Sequence, residues 1–155
     1  MDTTSRPSLH GATPLRPATY AGIAAAFVSI AAAIVIRVMP SFETVVVSMH
    51  LALTTLLYVT GGALATRLGG QGWRAGLFAG LLDALIGHAI AFFIAAPPDA
   101  SRVTLPRGIE PTPHVLAQVQ LWGAVVGAVG AILIAVAAGA FGAWYARRTR
   151  NYIRP

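Results

Sequence analysis

The chain has 155 residues, 56% of them hydrophobic and only 10% charged, with a mean hydropathy of +0.70. A soluble domain carries about 25% charged residues, so in water this chain would expose more apolar surface than a monomer tolerates, which sets a soluble globule aside. Its formal net charge of +6 rests on arginine alone, and the arginines stand at the ends of apolar segments rather than in a stripe, which sets a nucleic-acid partner aside.

In chain order, residues 1–17 hold three prolines and scattered Ser and Thr, and read as a disordered tail. A helix needs about 20 mostly apolar residues to cross the hydrocarbon of a bilayer, and four stretches qualify. The first covers residues 18–38. It is longer than the roughly 7–15 apolar residues of a signal peptide, so it is expected to be retained. "MPSFE" then breaks the chain: Pro40 cannot continue a helix, and Ser41 is the expected N-cap of a second span over 42–65. The break is short, so spans one and two form an antiparallel hairpin. "RLGGQGW" is a glycine turn into a third span over 73–95. The one long loop, 96–112, contains "PPDASRVTLPRGIEPT". After it Thr112 reads as N-cap and Pro113 as the first residue of a fourth helix over 113–145. That helix is too long for the hydrocarbon alone and should tilt or project, with "PHVLAQVQ" at or above the surface. Residues 147–155 read as a basic tail. The fold class expected is all-α, a four-helix transmembrane domain over 18–146.

Charge orients it. Arg6, Arg16, Arg67, Arg74, Arg147, Arg148, Arg150 and Arg154 fall on one side, and Arg37, Arg102 and Arg107 on the other, together with Glu43, Asp99 and Glu110. The excess of arginine predicts a multi-pass protein of the plasma membrane with both termini cytoplasmic. Trp73, Trp144, Tyr145 and Tyr20 would then mark the inner interface, and Trp122 the outer region. Lipid tails are as apolar as leucine, so helices associate through close packing of small residues. Gly76, Gly80 and Gly87, flanked by Ala79, Ala84 and Ala91, form one broad face of the third span. Gly123 and Gly127 begin a similar run in the fourth.

Polar residues inside the spans are the candidate site. Asp83 lies about 15 Å from the inner boundary at about 1.5 Å per residue. An ionisable group there costs at least about 2.5–3.5 kcal/mol, so Asp83 must face the bundle, pair or bind a proton. In the second span Glu43, His50, Thr54, Tyr58 and Gly61 share a stripe roughly 100° wide. A structural hydrogen bond to Thr54, Thr55 or Tyr58 is the expected role of Asp83. A proton or ion relay is the competing role. His50 and His88 reach similar depth, about 10–12 Å below the outer boundary. Separate hydrogen bonds to hydroxyls or carbonyls are expected for each. Ligation of a haem or metal is the alternative, with no third ligand to support it. As α-helical neighbours, Asp83 and His88 stand about 140° and about 7.5 Å apart, so they are expected to address different helices. His10 and His114 read as solvated.

Catalytic patterns are missing from the sequence. Ser29, Ser48, Thr44, Thr54, Thr55 and Thr60 are the hydroxyls within the spans, with no nucleophile elbow, HExxH, Walker A or dinucleotide fingerprint. "GGQGWRAG" lacks the Lys-Ser/Thr of a phosphate loop. Cysteine is absent, which removes disulfides and thiolate chemistry. No enzyme activity, cofactor or metal is expected. Residues 61–88, "GGALATRLGGQGWRAGLFAGLLDALIGH", combine a Gly-Gly helix end, a short basic turn, then Trp, Arg and helically spaced glycines. This hairpin resembles one found in small four-span bacterial integral membrane proteins of unknown function. The resemblance implies the topology and brings no catalytic residues. The expected role is a non-catalytic scaffold or accessory subunit of a membrane complex. The alternative is a small oligomeric transporter or proton or ion conduit built on Asp83 and the polar face of span two. The expected partners are the lipid bilayer and either a membrane protein or further copies of this chain.

Overall fold

A computed structural model describes residues 15–95, 98, 100–106 and 109–152. Residues 1–14 of the expected N-terminal tail and 153–155 of the basic tail lie outside that set. Among the described residues there is no strand, and four long helices carry the fold: α1 Arg16–Val38, α2 Glu43–Arg67, α3 Gly72–Ile94 and α4 Pro113–Tyr152. All four are long and apolar enough to cross a membrane. α3 is composite. It is α-helical over Gly72–Leu82, a π-helix over Asp83–His88, and α-helical again over Ala89–Ile94.

The boundaries follow from local chemistry. Pro17 sits in the first turn of α1, where a missing N–H is harmless. Past Val38 a 3-10 turn, Pro40–Phe42, leads straight into α2. Ser41 is therefore not the N-cap: Phe42 precedes α2 with no side-chain cap, and the turn's own backbone bond, Phe42 N–H to the Met39 carbonyl at 3.0 Å, does the closing. α2 ends in a Schellman motif. Gly69 adopts φ +85°, and the amides of Gly69 and Gly70 reach the carbonyls of Thr66 (3.1 Å) and Ala65 (2.9 Å). Thr112 caps α4 as expected, its Oγ1 accepting from the Val115 amide at 3.4 Å. α4 runs on past the expected end at 145, because no Gly or Pro follows Gly142 before Pro155 and Arg147, Arg148 and Arg150 suit a helix C-terminus.

α1 and α4 lie mainly on opposite sides of the α2–α3 pair. The interior is made almost without side chains. Ala18, Ala21, Gly22, Ala25, Ala26 and Ser29 form the buried face of α1, at helical spacing. A Cβ on Gly22 would stand 2.8 Å from the Ala79 carbonyl oxygen, closer than real Cβ atoms come. Gly76 lies against the Ala135 carbonyl, Gly62 against Gly139, and Gly142 against the Val59 carbonyl. Gly80, too, is a contact point, its Cβ position 2.7 Å from the Ala135 Cβ. The expectation for α4 needs correcting. Gly123 has open space around it, and Gly127 makes only ordinary contact with the His88 ring at 3.7 Å. The tight glycines of α4 are Gly139 and Gly142, about three to five turns nearer the other end of the bundle. Bulky apolar groups point outward instead: Phe27, Leu85 and Phe93 are 68%, 72% and 84% exposed. The largest fully buried side chains are Tyr58 and Asp83.

Candidate functional site: a buried carboxylate beside an open vestibule

Asp83 is 1% exposed and stands where α1, α2 and α3 meet. The Tyr58 hydroxyl donates to Oδ2 at 2.6 Å, and the Ser29 hydroxyl donates to Oδ1 at 2.8 Å. His50 Nε2 lies 2.9 Å from Ser29 Oγ. Ser29 has one proton and gives it to Asp83, so His50 carries hydrogen on Nε2 and donates to Ser29. The result is one chain, His50 to Ser29 to Asp83, closed on its far side by Tyr58.

Tyr58 is the partner read from the stripe of α2. Thr54 and Thr55 are not partners. Thr54 Oγ1 donates to its own helix, to the carbonyl of His50 at 2.8 Å and that of Leu51 at 3.3 Å. Ser29 is a partner that the stripe of α2 does not point to; its signal is its spacing, since it continues the small-residue face of α1 one turn beyond Ala25 and Ala26. Glu43 is exposed at the start of α2, well away from the carboxylate. Gly61 serves packing, its Cβ position 2.8 Å from the Ala21 Cβ.

The separation expected between Asp83 and His88 does not hold. In a π-helix the amide of residue i+5 pairs with the carbonyl of residue i, so residues five apart stand one turn apart on the same face. Asp83 and His88 are the first and last residues of that segment, and His88 Nδ1 comes within 3.8 Å of Asp83 Oδ1. That distance is too long for a hydrogen bond, and Nδ1 is buried without a partner. Gly87 makes the arrangement possible. A Cβ there would strike Asp83 Oδ1 and stand 2.8 Å from the Ala26 Cα.

His50 and His88 do approach, edge to face, with ring centroids 6.3 Å apart. Their inward nitrogens turn to Ser29 and to Asp83 rather than to a common point. Among the described residues no three His, Asp or Glu side chains converge as metal ligands.

Beside His88 a vestibule of about 690 Å³ opens at the end of the bundle that holds the α1–α2 turn. Arg37 and Glu43 stand at its mouth, Phe92 and Ala124 line its wall, and His88 lies at its floor. Gln120 also lines it, and its Nε2 donates to the carbonyls of Phe92 (3.3 Å) and Ala95 (3.4 Å) at the end of α3, where helix carbonyls lack the next turn's amides. Gln120 belongs to the segment expected at the surface, and its partners, carbonyls of another helix, leave no mark in the sequence.

Fold and site together define the class: a four-helix bundle with membrane-length helices around a buried acid–hydroxyl–imidazole cluster. No family model, curated protein or solved structure matches the chain.

Proposed function

We propose that the chain is a multi-pass protein of the plasma membrane with both termini cytoplasmic, and that it serves as a non-catalytic scaffold or accessory subunit of a membrane complex. Insertion is supported by the inversion of polarity, with Ala and Gly inside and large apolar side chains outside. Orientation is supported by the arginine excess at the end carrying the termini. There Arg74 and Arg148 lie over Trp73 and Trp144, at 5.2 and 5.4 Å, a pairing suited to the headgroup region.

The subunit role rests on one observation. Below Asp83 the helices touch backbone to backbone, at Gly22–Ala79, Gly76–Ala135, Gly62–Gly139 and Gly142–Val59. Among the described residues this half offers glycine contacts and an apolar cleft beside Ala21 and Leu57 rather than a polar path, which favours a part played through association. Extraction of the tagged chain into nanodiscs and native mass spectrometry test this. A stoichiometric foreign protein is the expected outcome, and a lone monomer in native membranes defeats the subunit role.

A second reading, an oligomeric proton or ion conduit, draws on the polar cluster itself. Its test is flux in liposomes, which Asp83→Asn should abolish.

A further inference from the structure

The hydrogen bonds around Asp83 leave one direction open. A carboxylate offers about four lone-pair positions. Tyr58 occupies one on Oδ2 and Ser29 one on Oδ1. The free side of Oδ1 faces His88 Nδ1, which has no other partner. The opposite edge of the same ring is free as well. Nε2 makes no hydrogen bond among the described residues, and it lies on the Gly127 side, next to the vestibule wall at Ala124. One imidazole thus has one nitrogen turned to a buried acid and the other to α4 at Gly127, and the ring itself borders an open cavity.

We infer that the vestibule is a one-sided proton-uptake site, in which the His88 ring passes protons between the cavity and Asp83. The inference rests on the four-span membrane reading above. In the forward step a proton from vestibule water binds Nε2, the Nδ1–H bond breaks, and an O–H bond forms at Asp83 Oδ1. The ring ends neutral with its hydrogen on Nε2, and Asp83 holds the added proton. The ring must approach by about 1 Å to reach hydrogen-bond length. The reverse step returns the proton to the same side.

The groups facing the site come from three helices. α1 contributes Ser29, with Arg37 at the mouth. α2 contributes His50 and Tyr58, with Glu43 at the mouth. α3 contributes His88 itself. Among the described residues α4 brings Gln120, which does not titrate, and small side chains. Arg37 and Glu43 line the cavity mouth together, so the approach carries both signs of charge and a net charge near zero. In the other direction the helices meet at glycines below Asp83, and the cleft of about 410 Å³ between α1 and α2 in that half, beside Ala21, Leu57 and Leu64, is lined almost wholly by apolar surface, so uptake has one side only.

The natural chain has no cysteine, which makes single-cysteine labelling direct. A membrane-impermeant cationic methanethiosulfonate is applied to each face of oriented vesicles. Thr104→Cys in the long loop and Thr149→Cys near the end of α4 should react from opposite faces. If they react from one face, the four-span reading itself fails. Given opposite faces, Ala124→Cys in the vestibule should react only from the face that labels Thr104→Cys, and Ala75→Cys in the sealed half from neither. Ala124→Cys reacting from neither face, or from both, overturns the one-sided site. The proton step is read by infrared difference spectroscopy after a pH step. Bands of Asp83, identified by their loss in Asp83→Asn, should change in the wild type. In His88→Phe they should reach the same amplitude at least tenfold more slowly. An unchanged rate, or no Asp83 signal after the step, overturns the role of His88.

Discussion

An acid at mid-membrane costs at least about 2.5–3.5 kcal/mol on insertion scales, while an interhelical hydrogen bond in a bilayer contributes about 0.6 kcal/mol on average and about 1.7 at most. Asp83 receives two such bonds, from Tyr58 and Ser29. They return roughly 1–3 kcal/mol, so the cluster offsets part of the cost of the acid without making it a source of stability. Asp83→Asn keeps both hydroxyl partners and removes the charge. Its stability should stay within about 1 kcal/mol of the wild type in reversible unfolding from bicelles. A loss above about 3 kcal/mol would mark the charge as structural. Tyr58→Phe removes one donor and leaves Oδ2 bare, and should cost about 0.6–1.7 kcal/mol in the same assay. Tyr58 was legible as the partner because it lies on the polar stripe of α2. Ser29 was not, because a lone serine on an alanine face reads as another small packing residue.

At the level of elements, the α3 geometry is the main departure from what periodicity suggests. A step of 100° per residue is correct for most of α3 and fails over the six residues Asp83–His88, where the ladder widens to π. No residue-type rule marks that site. It depends on Gly87 letting the carboxylate and the α1 backbone share the space a methyl would fill. Gly87→Ala should therefore destabilise the bundle by about 1–3 kcal/mol, as overpacking does, and weaken the Ser29–Asp83 bond. Gly123→Ala is the contrast. With open space at its Cβ position it should stay within about 0.5 kcal/mol, and Ala is the better helix former. Thermal unfolding of both in one detergent or bicelle system decides between them; equal losses would contradict the packing described. The pair also separates what composition tells from what it does not: both glycines sit in helically spaced small-residue runs, and only one lies where backbones meet.

For the whole molecule, the sealed half and the open vestibule make a bundle that is accessible from one end. Purified chain reconstituted as isolated monomers should carry no net proton flux, measured with a dye trapped inside liposomes. Flux that appears only at high protein-to-lipid ratio, and disappears in Asp83→Asn, would move the function to an oligomeric conduit. Large apolar side chains cover the exterior, and the arginine–indole pairs Arg74–Trp73 and Arg148–Trp144 sit toward one end. That large-scale pattern was legible in the sequence because it depends on counting residue types along segments, which needs no contacts.

The sequence by itself determined the all-helical class, the four membrane-length helices and the turn chemistry at Gly69 and Thr112, and it narrowed the partners of Asp83 on α2 to Thr54, Thr55 or Tyr58. Each follows from local propensity, from segment length or from one helix's periodicity. The tertiary structure alone decided which glycines bear on another backbone, that Ser29 joins His50 to Asp83, and that a π-turn brings His88 back beside the acid. Those depend on how close neighbouring backbones come, a quantity set jointly by several helices and carried by no single stretch of the chain.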